Sequence, residues 1–218
     1  LTTDDTVSGG AGTDVLKIET SATNETIVLA DFTNVTSVET LAGSATTGIA
    51  GNLGALASTA GITTVTYADT GLHDILVIDA EFANDLTVNL GGGTDLLNAS
   101  AYTKTLTVAA TETFADGVNH TVTGGTGTAD VLSITADANG IDITSMTTLT
   151  AFEKLTIAND AASGTIAFDS ATVADGTTFT IDATAQTTST STSTFDLSDD
   201  TDGKFVVNLG AGADNLTA

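Results

Sequence analysis

The stretch from Gly9 to Lys17 constrains the fold of this chain more than any other. It reads Gly-Gly-Ala-Gly-Thr-Asp-Val-Leu-Lys, a glycine turn followed by an acid and a short apolar run. Glycine adopts positive φ at no steric cost, so such a turn can be tight and can direct backbone carbonyls inward. Val15 and Leu16 favour a strand with one buried face. The stretch therefore predicts a β-strand entered through a tight corner that carries a carboxylate.

A second acid, Asp5, precedes Asp14 by nine residues (14 − 5 = 9). Two carboxylates about 4 Å apart repel by roughly 4 kcal/mol at a surface-like dielectric of 20, and a divalent cation between them reverses that sign. Carboxylate and carbonyl oxygens are the ligands that Ca²⁺ prefers. We therefore predict a calcium site formed by Asp5, Asp14 and the turn residues Gly10 and Gly12. The alternative for any one acid is an Asx-turn, in which Asp caps its own backbone.

Three further stretches repeat the glycine-acid pattern less completely. Leu replaces the first glycine in 90–97 and in 209–216, and one extra residue precedes the acid in 124–132. The candidate metal ligands in these copies are Gly91, Gly93, Asp95, Gly127, Asp130, Gly210, Gly212 and Asp214.

The pattern Gly-Gly-x-Gly-x-Asp-x-apolar-x in residues 9–17 resembles the RTX calcium-binding nonapeptide, whose repeats wind into a parallel β-roll. Isolated motifs within long Thr/Ala/Gly-rich β segments are similar to those of bacterial surface-layer proteins and large RTX adhesins. The resemblance implies that Ca²⁺ is the bound ion, held by the Asp and by carbonyls of the glycine loop. It also implies export to the cell surface without a cleaved N-terminal signal.

The later copies depart from the family pattern. In the copy at 124–132, His120 stands where Asp5 stands in the first, and a neutral imidazole is a poor Ca²⁺ ligand, although Asp116 or Asn119 could substitute. After Asp95 no second glycine turn follows. For Asp95 and Asp130, an ion site and a plain turn therefore both remain open.

A long internal repeat underlies these copies. The motif acids are separated by 116 residues (130 − 14) and 119 residues (214 − 95). Residues 35–41 parallel residues 149–155, and Val-Asn-Leu-Gly occurs at both 88–91 and 207–210. We predict two β repeat units, residues 1–117 and 118–218, belonging to a longer tandem array.

Short segments with a two-residue apolar period predict an all-β fold. With glycine-acid corners they favour a parallel β-solenoid. Tandem β-sandwich repeats are the alternative, since about seven strands in roughly 100 residues would also suit that fold.

Two local predictions depart from simple alternation: a short helix within residues 50–59, and burial of Ile75–Ile78 on both faces. Residues 187–194 are predicted to be a flat exposed strand or a loop. The main predicted strands are 25–29, 63–67, 74–78, 85–90, 103–109, 140–143, 154–157, 165–168, 177–181 and 204–209.

The charge excludes several classes of function. With 4 basic and 28 acidic residues the formal net charge is −24. Nucleic acids and anionic membranes are therefore poor partners, and no apolar run is long enough to cross a bilayer. The neighbouring His73 and Asp74 form the one pair that resembles catalytic equipment, but no nucleophile motif accompanies them. We predict no enzyme activity.

The leading functional hypothesis is a structural protein of the bacterial exterior. It would be a calcium-stabilised surface-layer or filament subunit that assembles with copies of itself, with cell-surface polysaccharide as a second partner. The alternative is the extender region of an RTX adhesin. A third hypothesis, a polysaccharide-degrading β-helix enzyme, would need a cleft lined by clustered acids or basic residues, and four basic residues suit polyanion cleavage poorly.

Overall fold

The structure is a computed structural model. It describes residues 3–19, 24–44, 48–67, 70–111, 121–135, 142–143, 149–158, 164–168, 173, 176–190, 192–201 and 203–218.

The described chain is almost entirely β-structure. A 3-10 helix at Leu29–Phe32 and one short α-helix, α1 (Ala55–Ala60), interrupt it. No helix in the described ranges is long and apolar enough to cross a membrane. In chain order the strands are β1 (Val7–Ser8), β2 (Val15–Lys17), β3 (Asn24–Ile27), β4 (Val35–Thr36), β5 (Thr40–Ala42), β6 (Gly48–Leu53), β7 (Thr64–Thr66), β8 (Thr70–Leu72), β9 (Ile75–Ile78), β10 (Leu86–Asn89), β11 (Gly92–Gly93), β12 (Leu96–Asn98), β13 (Leu106–Thr111), β14 (Thr121–Thr123), β15 (Val131–Thr135), β16 (Asp142–Ile143), β17 (Leu149–Thr150), β18 (Lys154–Ile157), β19 (Gly164–Ala167), β20 (Thr178–Asp182), β21 (Ser193–Asp196), β22 (Lys204–Asn208) and β23 (Asn215–Thr217).

These strands form a parallel β-solenoid, as the glycine corners and the alternation predicted. One nine-stranded sheet has the order β2-β5-β7-β10-β13-β15-β18-β20-β22, and each winding adds one strand to it. Its strands alternate along the chain with those of a six-stranded sheet, β17-β14-β12-β9-β6-β3, and a four-stranded sheet, β16-β19-β21-β23. Two smaller sheets pair β1 with β4 and β8 with β11. Every pairing is parallel, and chain segments 20 to 29 residues apart (107 − 87; 194 − 165) lie in register on successive windings.

A column of apolar side chains fills the interior behind the nine-stranded sheet. One residue from each strand contributes, and the seven interior members are at most 1% exposed. Fully burying an aliphatic side chain is worth roughly 1.5–3 kcal/mol, so this column is a main source of stability. Its members are Leu16, Leu41, Val65, Val88, Val108, Leu132, Leu155, Ile181 and Val207.

Two corners of the solenoid repeat each other at the level of individual atoms. The amide of Gly9 donates to Thr36 O at 3.1 Å, and that of Gly124 to Thr150 O at 2.9 Å. The next residues after these acceptors, Ser37 and Ala151, have positive φ (53° and 58°). These equivalent contacts explain why the sequences around 35–41 and 149–155 are similar.

Replacing Ala151 with glycine is expected to stabilise the protein by about 0.5 kcal/mol. The left-handed backbone costs an L-residue roughly 1 kcal/mol, and the extra entropy of glycine in the unfolded chain offsets part of the relief. The methyl group of Ala151 is exposed, so no packing is lost. Urea unfolding would measure the change. Ala167→Gly within β19 is the control and should lose about 0.5–1 kcal/mol; an equal loss in both variants would contradict the prediction.

Most predicted strands are confirmed within a residue or two, and Lys154–Ile157 is confirmed at both ends. The helix predicted for residues 50–59 is wrong in its first half. That half belongs to β6, and the α-helix starts at Ala55, directly after the extended N-cap residue Gly54. Ile75–Ile78 is not buried on both faces: only Leu76 and Ile78 are fully buried, because the outer face of this sheet is open. In the 187–194 tract, residues 187–190 are exposed and the strand β21 begins at Ser193.

Candidate metal centre

The corner before β2 combines a glycine turn with a carboxylate. Gly10 and Gly12 adopt positive φ (96° and 123°), and no atom lies within 4 Å of where a side chain would begin on either of them. Asp14 follows them and is half-buried. Its Oδ2 atom is buried and has no hydrogen-bond partner within the protein. A buried carboxylate oxygen without a donor is costly unless a cation or another donor reaches it.

Glu39, from the next winding, completes this corner. Val15 lies in register with Thr40, so Asp14 and Glu39 occupy equivalent positions on adjacent windings. The amide of Asp14 donates to Glu39 Oε2 at 2.8 Å. In return, Asp14 O accepts from the amides of Glu39 (3.2 Å) and Thr40 (3.0 Å). We call Asp14 and Glu39 the first acid corner.

Asp130 and Glu153 form a second acid corner of the same design. The amide of Asp130 donates to Glu153 Oε2 at 2.8 Å, and Asp130 O accepts from the amides of Glu153 and Lys154, each at 3.1 Å. Asp130 is fully buried. Sequence reasoning missed Glu39 and Glu153 as site residues, although the repeat aligned them, because each acts on an acid more than twenty residues away.

The second acid corner differs from the first in what its Asp carboxylate contacts. Asp130 Oδ1 accepts the amide of Leu106 from the preceding winding at 2.8 Å, and Oδ2 accepts the amide of Gly125 at 2.7 Å. Burial raises the pKa of Asp130, although these two bonds oppose the rise. Both oxygens are already occupied by backbone donors, which favours the plain-turn interpretation of 124–130 over the ion interpretation. A side chain on Gly127 would lie close to Lys104 O, so glycine at this position allows the two windings to pack closely.

Buried acids also stack in the six-stranded sheet. Asp74 and Asp95 are in register on adjacent windings and are at most 1% exposed. The amide of Asp74 donates to Asp95 Oδ1 at 3.0 Å, and the amide of Ile49 donates to Asp74 Oδ1. Asp95 thus also accepts a backbone N–H from the winding before it. The neighbouring His73 is exposed and its Nδ1 contacts Thr94 O.

The predicted ligands in 209–216 lie between the last two strands, β22 and β23. Asp214 follows Gly212, which has positive φ (129°), and its Oδ1 accepts the amide of Ser193 at 3.3 Å. A side chain on Gly210 would meet Ala183 O at 2.5 Å, so Gly210 permits close packing of windings.

The structure places Asp5 and Asp14 in different ladders. Asp5 is exposed and precedes β1, which pairs with β4, whereas Asp14 precedes β2, which pairs with β5. Gly91 directly follows the buried Leu90, and Gly93 lies in β11. Asp116, Asn119 and His120 lie outside the described residues.

No group of three or more His, Cys, Asp or Glu residues able to hold a metal occurs within the described ranges. Of the four predicted corners, the first acid corner fits Ca²⁺ best, because it combines two acids, open positive-φ glycines and a buried oxygen without a donor. No protein-family model, curated protein or solved structure matches the chain.

Stability in calcium-free buffer should be greatest at mildly acidic pH. Burial raises the pKa of both Asp130 and Glu153 in the folded state. Their ionisation therefore opposes folding at neutral pH, and this penalty disappears as pH falls to the ordinary carboxyl range. The hydrogen bond from Lys154 Nζ (2.7 Å) is the largest cause lowering the pKa of Asp182 to about 2. The stability that this hydrogen bond contributes is complete above the ordinary carboxyl pKa and is lost as pH falls towards 2.

Urea unfolding with a chelator at about pH 7, 5 and 2.5 would measure this dependence. Lys154→Met is the matched variant, and its loss of stability at the acid end should be smaller than that of the unmodified chain. A free energy of unfolding that falls steadily from pH 7 to 5 would contradict the prediction.

Proposed function

We propose that this chain is a structural protein of the bacterial exterior, a calcium-stabilised surface-layer or filament subunit that assembles with copies of itself. Three properties support the proposal: the elongating parallel β-solenoid, the net charge of −24, and a glycine-acid corner of the kind that holds Ca²⁺. The acids whose contacts are described mostly accept backbone N–H groups and do not converge on a cleft. The chain is therefore proposed as a building element and not as an enzyme.

The first acid corner carries the proposal. Asp14 Oδ2 is buried without a donor while Glu39 lies on the adjacent winding, so two carboxylates share one corner. Asp14, Glu39 and the backbone around Gly10 and Gly12 would hold the ion. When bound, Ca²⁺ supplies positive charge that offsets the repulsion between the two acids. The protein would then be least stable where calcium is scarce and would gain stability outside the cell.

Calcium at 1 mM is expected to raise the melting temperature by about 3–6 °C. For a Kd near 0.1 mM, one site adds roughly RT ln 11, or about 1.4 kcal/mol, and a domain of this size shifts by about 2–4 °C per kcal/mol. Scanning calorimetry and calorimetric titration with Ca²⁺ would measure the shift and the affinity. Asp14→Ala should abolish both, whereas the exposed-acid control Asp199→Ala should retain them.

Two outcomes would contradict the proposal. The first is a melting temperature that does not respond to Ca²⁺. The second is an equal response in Asp14→Ala and in the unmodified chain. Electron microscopy after calcium addition tests the assembly itself, since a lattice or filament subunit forms ordered sheets or fibres. A chain that binds Ca²⁺ and stays monomeric would instead favour the extender alternative.

A further inference from the structure

The outer face of the nine-stranded sheet carries a row of four threonines. Thr40, Thr64, Thr87 and Thr107 lie in register on successive windings, in β5, β7, β10 and β13. Each precedes a fully buried residue of the apolar column, so its own half-buried side chain points outward. All four strands are paired on both sides, so the row belongs to the body of the solenoid.

A second row runs parallel to the first, two residues further along each strand. Its members are Ala42, Thr66, Asn89 and Ala109, all half-buried. We call the eight positions of the two rows the threonine face. Asn89 Nδ2 donates to Thr66 Oγ1 at 3.1 Å, which orders two polar groups of the second row. Threonine is β-branched and stiff at χ1, so the hydroxyl groups of the first row have few orientations available.

The threonine face is uncharged, although the chain carries 4 basic and 28 acidic residues. Charges return farther along the same sheet, since Lys154 continues the first row and Asp182 continues the second. An uncharged surface does not attract ions, charged polymers or mineral surfaces. None of the eight residues is aromatic, so the face also offers a sugar ring no flat apolar surface.

The size of the threonine face does not suit a second protein chain. Four strands about 4.8 Å apart, with about 10 Å of each strand in the face, give roughly 200 Å². A stable protein–protein interface buries about 800 Å² on each partner. A partner for so small a face has to match it group by group, which a periodic solid can do.

The spacing of the threonine face is close to that of ordered water. Neighbouring positions lie about 4.8 Å apart across the strands and about 6.6 Å apart along them. Water molecules that are hydrogen-bonded at about 2.75 Å in tetrahedral geometry place second-neighbour oxygens about 4.5 Å apart and repeat that row about every 7.3 Å at right angles. Over the three intervals of the first row the mismatch adds up to about 0.9 Å, a third of one hydrogen-bond length. Four successive hydroxyl groups therefore stay close to oxygen positions of an ice lattice.

We propose that the threonine face binds to the surface of ice. The hydroxyl groups of the first row replace successive water oxygens of the crystal, and the methyl groups fill the space between them. A bound chain then blocks the addition of water to the crystal beneath it. This activity goes beyond the proposed structural role, and it uses neither Asp14 nor the glycine turn before it.

Slow growth of ice in a dilute solution of the chain tests the proposal, with the protein in the ice and in the remaining liquid measured on gels. The unmodified chain should be enriched in the ice. Thr87→Lys should lose this enrichment, because a long charged side chain then projects from the centre of the face. Thr121→Lys is the matched control, the same substitution at an exposed position on β14 of the other sheet, and it should be enriched like the unmodified chain.

Circular dichroism should show the same fold in all three proteins, and Thr64→Lys interrupts the first row on another strand if Thr87→Lys does not fold. Exclusion of the unmodified chain from the ice would overturn the proposal. Equal enrichment of Thr87→Lys would also overturn it, since the chain would then be trapped without using this face. Thr87→Lys should keep the calcium response of the unmodified chain. Failure of ice binding therefore leaves the proposed function standing, and a missing calcium response removes the proposed function alone.

Discussion

Asp130→Ala is expected to lower the free energy of unfolding by about 2–4 kcal/mol. The substitution leaves the amides of Leu106 and Gly125 without an acceptor inside the protein, and each such loss costs about 1–3 kcal/mol. Part of this cost is offset, because burial of the ionised carboxylate is itself unfavourable, as the raised pKa of Asp130 indicates. Urea unfolding monitored by circular dichroism would measure the difference.

The exposed acid Asp199 is the control for this prediction, and Asp199→Ala should change stability by less than about 0.5 kcal/mol. Asp130→Asn gives a second test at nearly constant volume. The amide keeps one acceptor oxygen but directs its NH₂ group at a backbone donor, so this variant should also be destabilised. If Asp130→Ala loses less than about 0.5 kcal/mol, the carboxylate does not stabilise this corner.

The two acid corners show that acids in this solenoid act between windings. Asp130 accepts an amide from the winding before it, and Glu153 accepts the amide of Asp130 in turn. Asp95 does the same for Asp74 in the other sheet. Carboxylates thus satisfy N–H groups at the point where each parallel ladder begins. Part of the large negative charge is therefore a structural requirement of the corners.

The fold was predictable because its main signals are local. Alternation in short segments such as 154–157 predicted strands, and the glycine-acid corners predicted that the chain turns between them. The boundary between β6 and α1 was not predictable in the same way. Ala, Leu and Gly occur in both elements, and pairing of β6 with β3 and β9 decides the outcome.

The site was predictable only in part, because its contacts join distant parts of the chain. Sequence reasoning found Asp14 and Asp130 from the glycines before them. It could not show that Asp130 contacts Leu106, 24 residues earlier (130 − 106), since that contact depends on the register of two windings. The contact between Asp14 and Glu39 depends on register in the same way.

Gly124→Ala is expected to lower the free energy of unfolding by roughly 3 kcal/mol, at the upper end of the usual cost of overpacking. A methyl group on Gly124 would lie 1.9 Å from Ala151 O on the following winding. The obstacle is a backbone carbonyl, so no side-chain rotation relieves it and two windings must separate. A methyl group on Gly9 would lie at the same 1.9 Å from Ser37 O, which explains why both double-glycine motifs begin with glycine.

Gly10→Ala separates this steric effect from backbone strain. Gly10 has open space around it but positive φ, so alanine there should cost only about 1 kcal/mol. Gly9→Ala tests the same carbonyl clash in the first winding, where fewer neighbouring strands resist displacement, and it should fall between the other two. Equal losses for Gly124→Ala and Gly10→Ala would mean that conformation alone selects these glycines. A threefold difference in free energy would mean that the first glycine sets the spacing of windings, whereas the positive-φ glycines shape the corner.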